Sequence, residues 1–295
     1  MSMSVSMLRG VSPPAIVFAV LLVCLVQPCG AANLLQNPGF ELGAPLAQGY
    51  GPWSTVNNGW TYEFPDTNTG NHSGVDRESN AGLYWGVPPT FNSGSEALRT
   101  YQMQGVALVE AYQILAVQPS AAYQASVYVR TVGSFGSTSG DFAGLIVQQL
   151  DSNGLEILGA TQQVGLTDAS TEDYRQLSVT VNTVSNAAYV VYRLRTIIRT
   201  TAGTGHVTYD DCAFDGPVVT CNLTGTITSR GLPVEGVDVS VADNSTTTGP
   251  AGTYSLDAPI IGDPASQLTA TKTGYWNSAV NVTLVSGPLV RDVEI

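Results

Sequence analysis

Aromatic side chains that could bind a ligand are concentrated in one part of the chain, between positions 50 and 101. A flat ring shields the apolar C–H face of a sugar, and neighbouring polar side chains bind its hydroxyl groups. The stretch Pro65 to Ser95 is rich in Gly, Asn, Ser and Pro, which predicts a loop lying over one end or face of the fold. The predicted exposed platform and its polar partners are Tyr84, Trp85, Arg77, Glu78, Asn80 and Gln102.

The alternative for each aromatic residue is a ring packed in a core, and this alternative stays open for Tyr84 and Trp85. Trp60 is predicted to be a core residue, because it follows Gly59 and precedes the alternating pattern of residues 61–64.

No motif in the chain assigns catalytic roles. Glycosidase chemistry needs two carboxylates placed across a cleft, and Glu63, Asp66, Asp76 and Glu78 are close in sequence. Nothing in their spacing separates an acid from a nucleophile. No nucleophile-elbow, metalloprotease or phosphate-loop motif occurs. A protein that is not an enzyme is therefore predicted, with a hydrolase kept as an alternative because triad members need not be adjacent.

Composition and the N-terminus restrict the class of protein. The net charge is −12, and Lys272 is the single lysine, so a basic surface for nucleic acid is not expected. Arg9, an apolar run from Ala15 to Val26 and small residues up to Ala32 have the layout of a secretory signal. The run is too short to span a bilayer. We expect a secreted chain that begins near Asn33.

Two cysteines remain after the signal, Cys212 and Cys221. A disulfide between them is predicted because a secreted protein meets an oxidising environment. Two buried free thiols are the alternative.

The mature chain has β-type patterning, with many Gly, Thr, Ser and Val residues and no helical stripe of apolar positions. Alternating segments include 123–130, 174–181 and 188–198, and an Asn-Gly step at 153–154 predicts a hairpin into a strand over 155–158. The pattern of predicted strands changes near Pro217, where a second series of strands begins. The predicted fold class is all-β, with domains over residues 33–217 and 218–295, each a β-sandwich.

The opening segment Asn33 to Glu41 and the closing segment Val207 to Phe214, together with Trp60, resemble jelly-roll carbohydrate-binding modules. The resemblance covers residues 33–217 and implies a galactose-binding-like sandwich that binds a polysaccharide or another glycan. The second segment, 218–295, resembles the carboxypeptidase regulatory-like, transthyretin-like fold. Gly225 to Ile227, Pro233-Val234, Gly236 to Val241, Gly252 to Leu256 and Gly274-Tyr275 carry that second resemblance.

Carboxylates at the two ends of the first segment predict a cation site. The turn at Pro38-Gly39 exposes backbone oxygens beside Glu41, and Phe40 fills the core. If the last strand lies beside the first, Asp210 or Asp211 adds a second carboxylate, giving the oxygen-rich surroundings that Ca²⁺ prefers. The predicted ligands are Gly39, Phe40, Glu41, and Asp210 or Asp211, and the resemblance implies a structural ion. The alternative is that these acids only cap turns and strand ends.

The leading hypothesis is therefore a secreted glycan-binding protein with an accessory sandwich. A structural or adhesive protein without a sugar pocket is the first alternative, and a glycoside hydrolase is the second.

Overall fold

The computed structural model describes residues 32–42, 59–63, 73–79, 91–102, 107–133, 135–136, 139–167, 173–199, 205–242, 244–261 and 265–295. Within these ranges every regular element is a β-strand, and the predicted all-β class is confirmed. No helix among the described residues is long and apolar enough to cross a membrane. The compact unit Ala31–Ile295 contains two hydrophobic cores, each between sheets.

Two antiparallel sheets enclose the first core. Their strands are, in chain order, β1 (Ala32–Asn33), β2 (Thr61–Glu63), β3 (Ser73–Ser79), β4 (Glu96–Gln102), β5 (Ala107–Ala116), β6 (Ala122–Gly133), β7 (Phe142–Leu150), β8 (Gln162–Leu166), β9 (Arg175–Asn182), β10 (Tyr189–Ile198) and β11 (Gly205–Gly216). The front sheet has the order β3-β4-β11-β6-β9, with β1 paired to β11. The back sheet has the order β2-β5-β10-β7-β8.

Strand periodicity places the first core. Val190, Tyr192 and Leu194 of β10 are fully buried between the sheets, which leaves the intervening residues of β10 on the outer face of the back sheet. The predicted core positions of Phe40 and Trp60 are confirmed. Their ring centroids lie 5.0 Å apart, and the indole N–H of Trp60 donates to the Asn37 carbonyl at 3.1 Å. A buried indole thus has its one polar atom satisfied.

The turn after β7 forms as predicted, but the strand predicted after it does not. Asp151 Oδ1 accepts from the amide of Asn153 at 2.8 Å, and Gly154 has a φ of +77°. The chain beyond remains a turn with a single bridge at Glu156, and Leu158 is 87% exposed. The strand prediction for residues 155–158 is therefore wrong, and pairing resumes only at β8.

The second core lies between two smaller sheets. Their strands are β12 (Val219–Ser229), β13 (Leu232–Pro233), β14 (Asp238–Val241), β15 (Asn244–Thr247), β16 (Thr253–Ile260), β17 (Ala265–Thr271), β18 (Ser278–Thr283), β19 (Gly287–Val290) and β20 (Val293–Glu294). One sheet contains β13, β12 and β16, with β19 and β20 parallel to β12; the other has the order β15-β14-β17-β18. Gly225 is needed where β19 gives way to β20, because a Cβ there would lie 1.9 Å from the Arg291 carbonyl oxygen.

The two cores divide the chain between Phe214 and Val219. The predicted domain boundary at residue 217 falls in this interval, and the division into two domains stays a prediction. Tyr123 crosses this junction, since its hydroxyl donates to the Pro217 carbonyl at 3.0 Å and accepts from the Gln118 amide at 2.7 Å.

The predicted disulfide is wrong for this structure, because Cys212 and Cys221 are both free and buried. Cys212 belongs to the first core and Cys221 to the second. Each thiol is thus enclosed by the apolar side chains of its own sandwich. Burial also raises the pKa of the Cys212 thiol far above its usual range, so the reactive thiolate is disfavoured.

Candidate functional site

The predicted aromatic platform falls largely outside the described residues: Tyr84, Trp85 and Asn80 belong to residues 80–90. The backbones of Arg77 and Glu78 lie in β3, opposite Leu98 and Ala97 of β4. Gln102 is at the other end of that ladder, opposite Ser73. Along β4, four residues, or about 13 Å, therefore separate Gln102 from Leu98, the residue opposite Arg77. The platform stays a prediction.

The carboxylate cluster, which we define as Glu41, Asp210 and Asp211, does assemble. A Cβ placed on Gly39 would lie 3.6 Å from Glu41 Cγ, 3.8 Å from Asp211 Oδ1 and 4.0 Å from Asp210 Oδ1. Two features bring the acids to this turn. Phe40 has a φ of +59°, and the pairing of β11 with β6 shifts register between Asp210 and Ala213. Such a bulge re-aims the side chains beside it.

Hydrogen bonds from residues 92–96 hold the carboxylate cluster. Asp210 Oδ2 accepts from the amide of Asn92 at 2.8 Å, and Asp211 Oδ1 accepts from the Ser93 hydroxyl at 2.6 Å. Glu41 Oε1 accepts from the Ser95 amide at 2.8 Å. Burial, together with the negative charge of Asp211, raises the pKa of the Asp210 carboxyl to about 6.

This arrangement has the right atoms for calcium but not the right spacing. The donors are hard carboxylate oxygens, as Ca²⁺ requires. Within the part of the chain that the structure describes, however, no three acidic, His or Cys side chains are placed to hold one ion. The amides of residues 92–96 occupy the oxygens that a cation would need. Calcium binding would therefore require these oxygens to be released from residues 92–96, and the calcium site stays a prediction.

A second polar array lies on the outer face of the back sheet. We call it the Glu110 network, and it consists of Glu63, Glu110, Tyr112, Arg193 and Arg195. The register explains it: Arg195 is opposite Glu110, Arg193 is opposite Tyr112, and Glu63 is opposite Glu110. Partners directly opposite in a ladder share one face of the sheet. Side chains from β2, β5 and β10 therefore meet on this face.

The centre of the Glu110 network is a carboxylate between two guanidinium groups. Arg193 Nη1 donates to Glu110 Oε2 at 2.7 Å, and Arg195 Nε donates to Glu110 Oε1. The side chain of Glu110 is only 2% exposed, whereas Arg193 and Arg195 are 20% and 32% exposed. These two charge-assisted hydrogen bonds fix both arginine side chains.

Tyr112 is held between the arginine and a second carboxylate. The guanidinium carbon of Arg193 lies 5.4 Å from the centroid of the Tyr112 ring, and the Tyr112 hydroxyl donates to Glu63 Oε1 at 2.9 Å. Burial raises the pKa of this hydroxyl, and so does the Glu63 carboxylate, so the group stays protonated. The ring is fixed at the surface without being enclosed in the core.

One donor of the Glu110 network, the buried Nε atom of Arg193, has no hydrogen-bond partner among the described residues. A buried unsatisfied donor is costly, because its interaction with water is lost and nothing replaces it. The network therefore contains an unpaired donor beside carboxylate acceptors and an aromatic ring, and because the Nε atom is buried, a ligand reaches it only when the partly exposed Arg193 side chain shifts. A ligand hydroxyl, which both donates and accepts, has the chemistry to complete this set.

The same network disfavours hydrolysis. Glu63 and Glu110 are directly opposite, but both oxygens of Glu110 are bonded to arginines and its side chain is only 2% exposed, so it is not placed to reach a glycosidic oxygen. Two carboxylates on one face are therefore not sufficient for glycosidase chemistry here.

A third polar group lies on the outer face of the front sheet. Thr208 of β11 is opposite Arg99 on one side and Arg130 on the other, and His206 follows two residues earlier on the same strand. His206, Arg99 and Arg130 are all buried. Burial lowers the pKa of His206 to about 4, with the two arginine charges adding to the effect, so the imidazole is neutral at pH 7.

No family model matches this chain, and no curated protein does. Solved structures with a distant likeness include TmCBM61 in complex with β-1,4-galactotriose, 15% identical, TM-score 0.37, covering 63% of this chain and 99% of that one. The CBM22-1 xylan-binding domain of Paenibacillus barcinonensis Xyn10C is 16% identical, TM-score 0.37, covering 63% and 96%. The active domain of bacteriophage CBA120 tailspike protein 4 is 11% identical, TM-score 0.40, covering 58% of this chain and 21% of its own length.

Proposed function

We propose that this chain is a secreted, non-catalytic protein that binds a glycan on the outer face of the back sheet. The observation that carries the proposal is the unsatisfied Nε donor of Arg193, fixed beside the Tyr112 ring and the Glu63 carboxylate. Sugars need donors, acceptors and a flat apolar surface within one site, and this array has all of them. The acidic charge of the chain also disfavours anionic ligands.

Affinity electrophoresis of the full chain in gels containing soluble xylan or β-1,4-galactan tests the proposal, since these polymers offer a pentose and a hexose backbone. We expect retardation of the wild type in at least one gel. Tyr112→Ala should bind about tenfold more weakly, because it removes the aromatic ring and the hydroxyl that bonds to Glu63. Tyr128→Ala is the matched control, because Tyr128 is a half-buried tyrosine of the front sheet. Equal retardation of wild type and Tyr112→Ala would place the sugar elsewhere.

The loop platform is tested in the same gels. If Trp85→Ala weakens retardation and Tyr112→Ala does not, the glycan binds the segment around Tyr84 and Trp85. Absence of retardation across a broad panel of polysaccharides would instead favour a structural or adhesive protein, and release of reducing sugar that Glu63→Gln abolishes would favour a hydrolase.

We also propose that Ca²⁺ competes with the amides of residues 92–96 for the carboxylate cluster. The proposal is supported by the convergence of the three acids on Gly39. Calorimetric titration of the full chain with CaCl₂ tests it, with Asp211→Asn as the variant that should lose the heat of binding.

A further inference from the structure

A cavity of about 350 Å³ lies where the two sandwiches meet. The first sandwich contributes the end of β5 and the start of β10, including Ile114 and Tyr189. The second contributes residues 284–286 between β18 and β19, together with Val219 and Ile260. Pockets that bind small molecules start at about this volume, and they are frequent at domain boundaries.

The cavity wall is apolar and uncharged. None of the described lining residues is acidic or basic, and among their side chains Tyr189 and Ser286 carry hydroxyls. A charged group placed here would lose its hydration without finding a partner, which is strongly unfavourable. The wall therefore selects an uncharged, apolar group.

Two wall residues are apolar and yet remain exposed: Ile114 is 50% exposed and Val285 is 44% exposed. They belong to neither buried core, so packing within each sandwich does not explain them. They lie on facing sides of the junction, one on each sandwich. A ligand in the cavity would cover both.

The cavity begins close to the Glu110 network on the outer face of the back sheet, although no residue of the network lines it. Ile114 is two residues from Tyr112 on β5, about 7 Å along the same face of the strand. Tyr189 is opposite Ala116, and Val191 is opposite Ile114, so β10 follows the same path beside it. Along β5, the network residue Tyr112 and the cavity residue Ile114 are therefore only two residues apart.

We propose that this cavity binds the apolar part of an uncharged amphiphile, an alkyl or aryl glycoside, whose sugar lies on the Glu110 network. The sugar half of this inference rests on the proposed function, and the apolar half rests on the cavity alone. The second sandwich then contributes directly to ligand binding through Val285.

The experiment compares glycosides that share a sugar and differ in the chain attached. The full chain is titrated calorimetrically with methyl and octyl β-D-galactopyranoside, and with the same pair of xylosides. The neutral dye N-phenyl-1-naphthylamine, followed by its fluorescence, reports the cavity independently of sugar. We expect saturable 1:1 dye binding, displacement of the dye by the octyl glycosides, and octyl binding at least about tenfold tighter than methyl, equivalent to burying about two methylene groups.

Val285→Asp should reduce the octyl advantage to about one and abolish dye binding, because it places a charge at the cavity. Val290→Asp is the matched control: Val290 is a valine of the same sandwich, 69% exposed and outside the cavity. Ile114→Asn supplies a second variant from the other side of the junction, and the melting temperature of each variant verifies folding.

Three results would overturn the inference. An octyl-to-methyl ratio near one in the wild type, or a ratio that Val285→Asp leaves unchanged, removes the apolar half while polysaccharide binding still supports the proposed function. Octyl binding that Tyr112→Ala does not weaken would show a cavity without its sugar half. That last result would also count against the proposed function, whereas the first two results count against the cavity alone. Failure of the cavity inference and failure of the proposed sugar site are therefore distinguishable.

Discussion

His206 provides a quantitative test of the buried polar face of the front sheet. Its pKa is lowered to about 4 in the folded chain by burial and by Arg99 and Arg130, against about 6.5 for an unfolded chain. The unfolded state therefore binds more protons between these values, and stability must fall as the pH falls through this window. The loss is about 2 kcal/mol between pH 7.5 and pH 5, and about 3 kcal/mol by pH 4. His206 is only 7% exposed, so screening by solvent reduces these figures little.

The assay is urea unfolding of the wild type and of His206→Gln at pH 7.5, 6, 5 and 4. Gln carries no charge at any of these values, so the difference between the two free energies of unfolding isolates the His206 contribution. Relative to the variant, the wild type should lose about 2 kcal/mol between pH 7.5 and pH 5. His72 is the other histidine of the chain, and a His72→Gln background should give the same difference. A pH-independent difference, or one of opposite sign, would refute the reasoning.

Three further predictions concern the thiols, a glycine and calcium. Iodoacetamide should leave Cys212 and Cys221 unmodified in the folded chain and should modify both in urea without reductant. Mass spectrometry of the digested protein maps the modified thiols. If the two thiols stay unmodified in urea until a reductant is added, they form a disulfide. Gly225→Ala should destabilise by about 3 kcal/mol in urea unfolding, because its Cβ would overlap the Arg291 carbonyl, whereas Gly249→Ala, with nothing within 4 Å, should cost little. Calcium at about 100 times its dissociation constant should stabilise by about 2.7 kcal/mol, measured as a rise in melting temperature that EDTA reverses; an unchanged melting temperature would contradict the site.

The fold was predictable where one face of each strand is apolar. Val190, Tyr192 and Leu194 alternate with Val191, Arg193 and Arg195, and this period of two set both the strand and its buried face. The strand predicted over residues 155–158 failed because its apolar residues have no sheet to pack against: Leu155 and Leu158 are both exposed. Apolar residues in a short segment do not by themselves distinguish a strand from a turn.

The Glu110 network could be predicted only in part. The alternation of β10 already placed Arg193 and Arg195 on the solvent face together, which was the available signal. Nothing local to β10 indicates that Glu110, 83 residues before Arg193, lies between them. That contact depends on the register of β5 against β10, which long-range pairing sets. The carboxylate cluster was predictable because its two segments bracket the first sandwich, but the amides of residues 92–96 that hold it were not.

The role of Tyr123 at the junction was also not predictable. Its alternation assigned it correctly to a buried face, and its ring stacks on Phe214 at 4.9 Å. The two hydrogen bonds of its hydroxyl, to Gln118 and Pro217, depend on how the sandwiches meet.

The most direct test of the central claim is the NMR signal of the Arg193 Nε–H group, identified by its loss in Arg193→Lys. This donor has no partner within the part of the chain that the structure describes, so a bound glycan should give it one. We predict that the resonance shifts saturably on addition of soluble xylan or β-1,4-galactan, with the same dissociation constant as affinity electrophoresis gives. Saturable glycan binding that leaves this resonance unmoved would contradict the account.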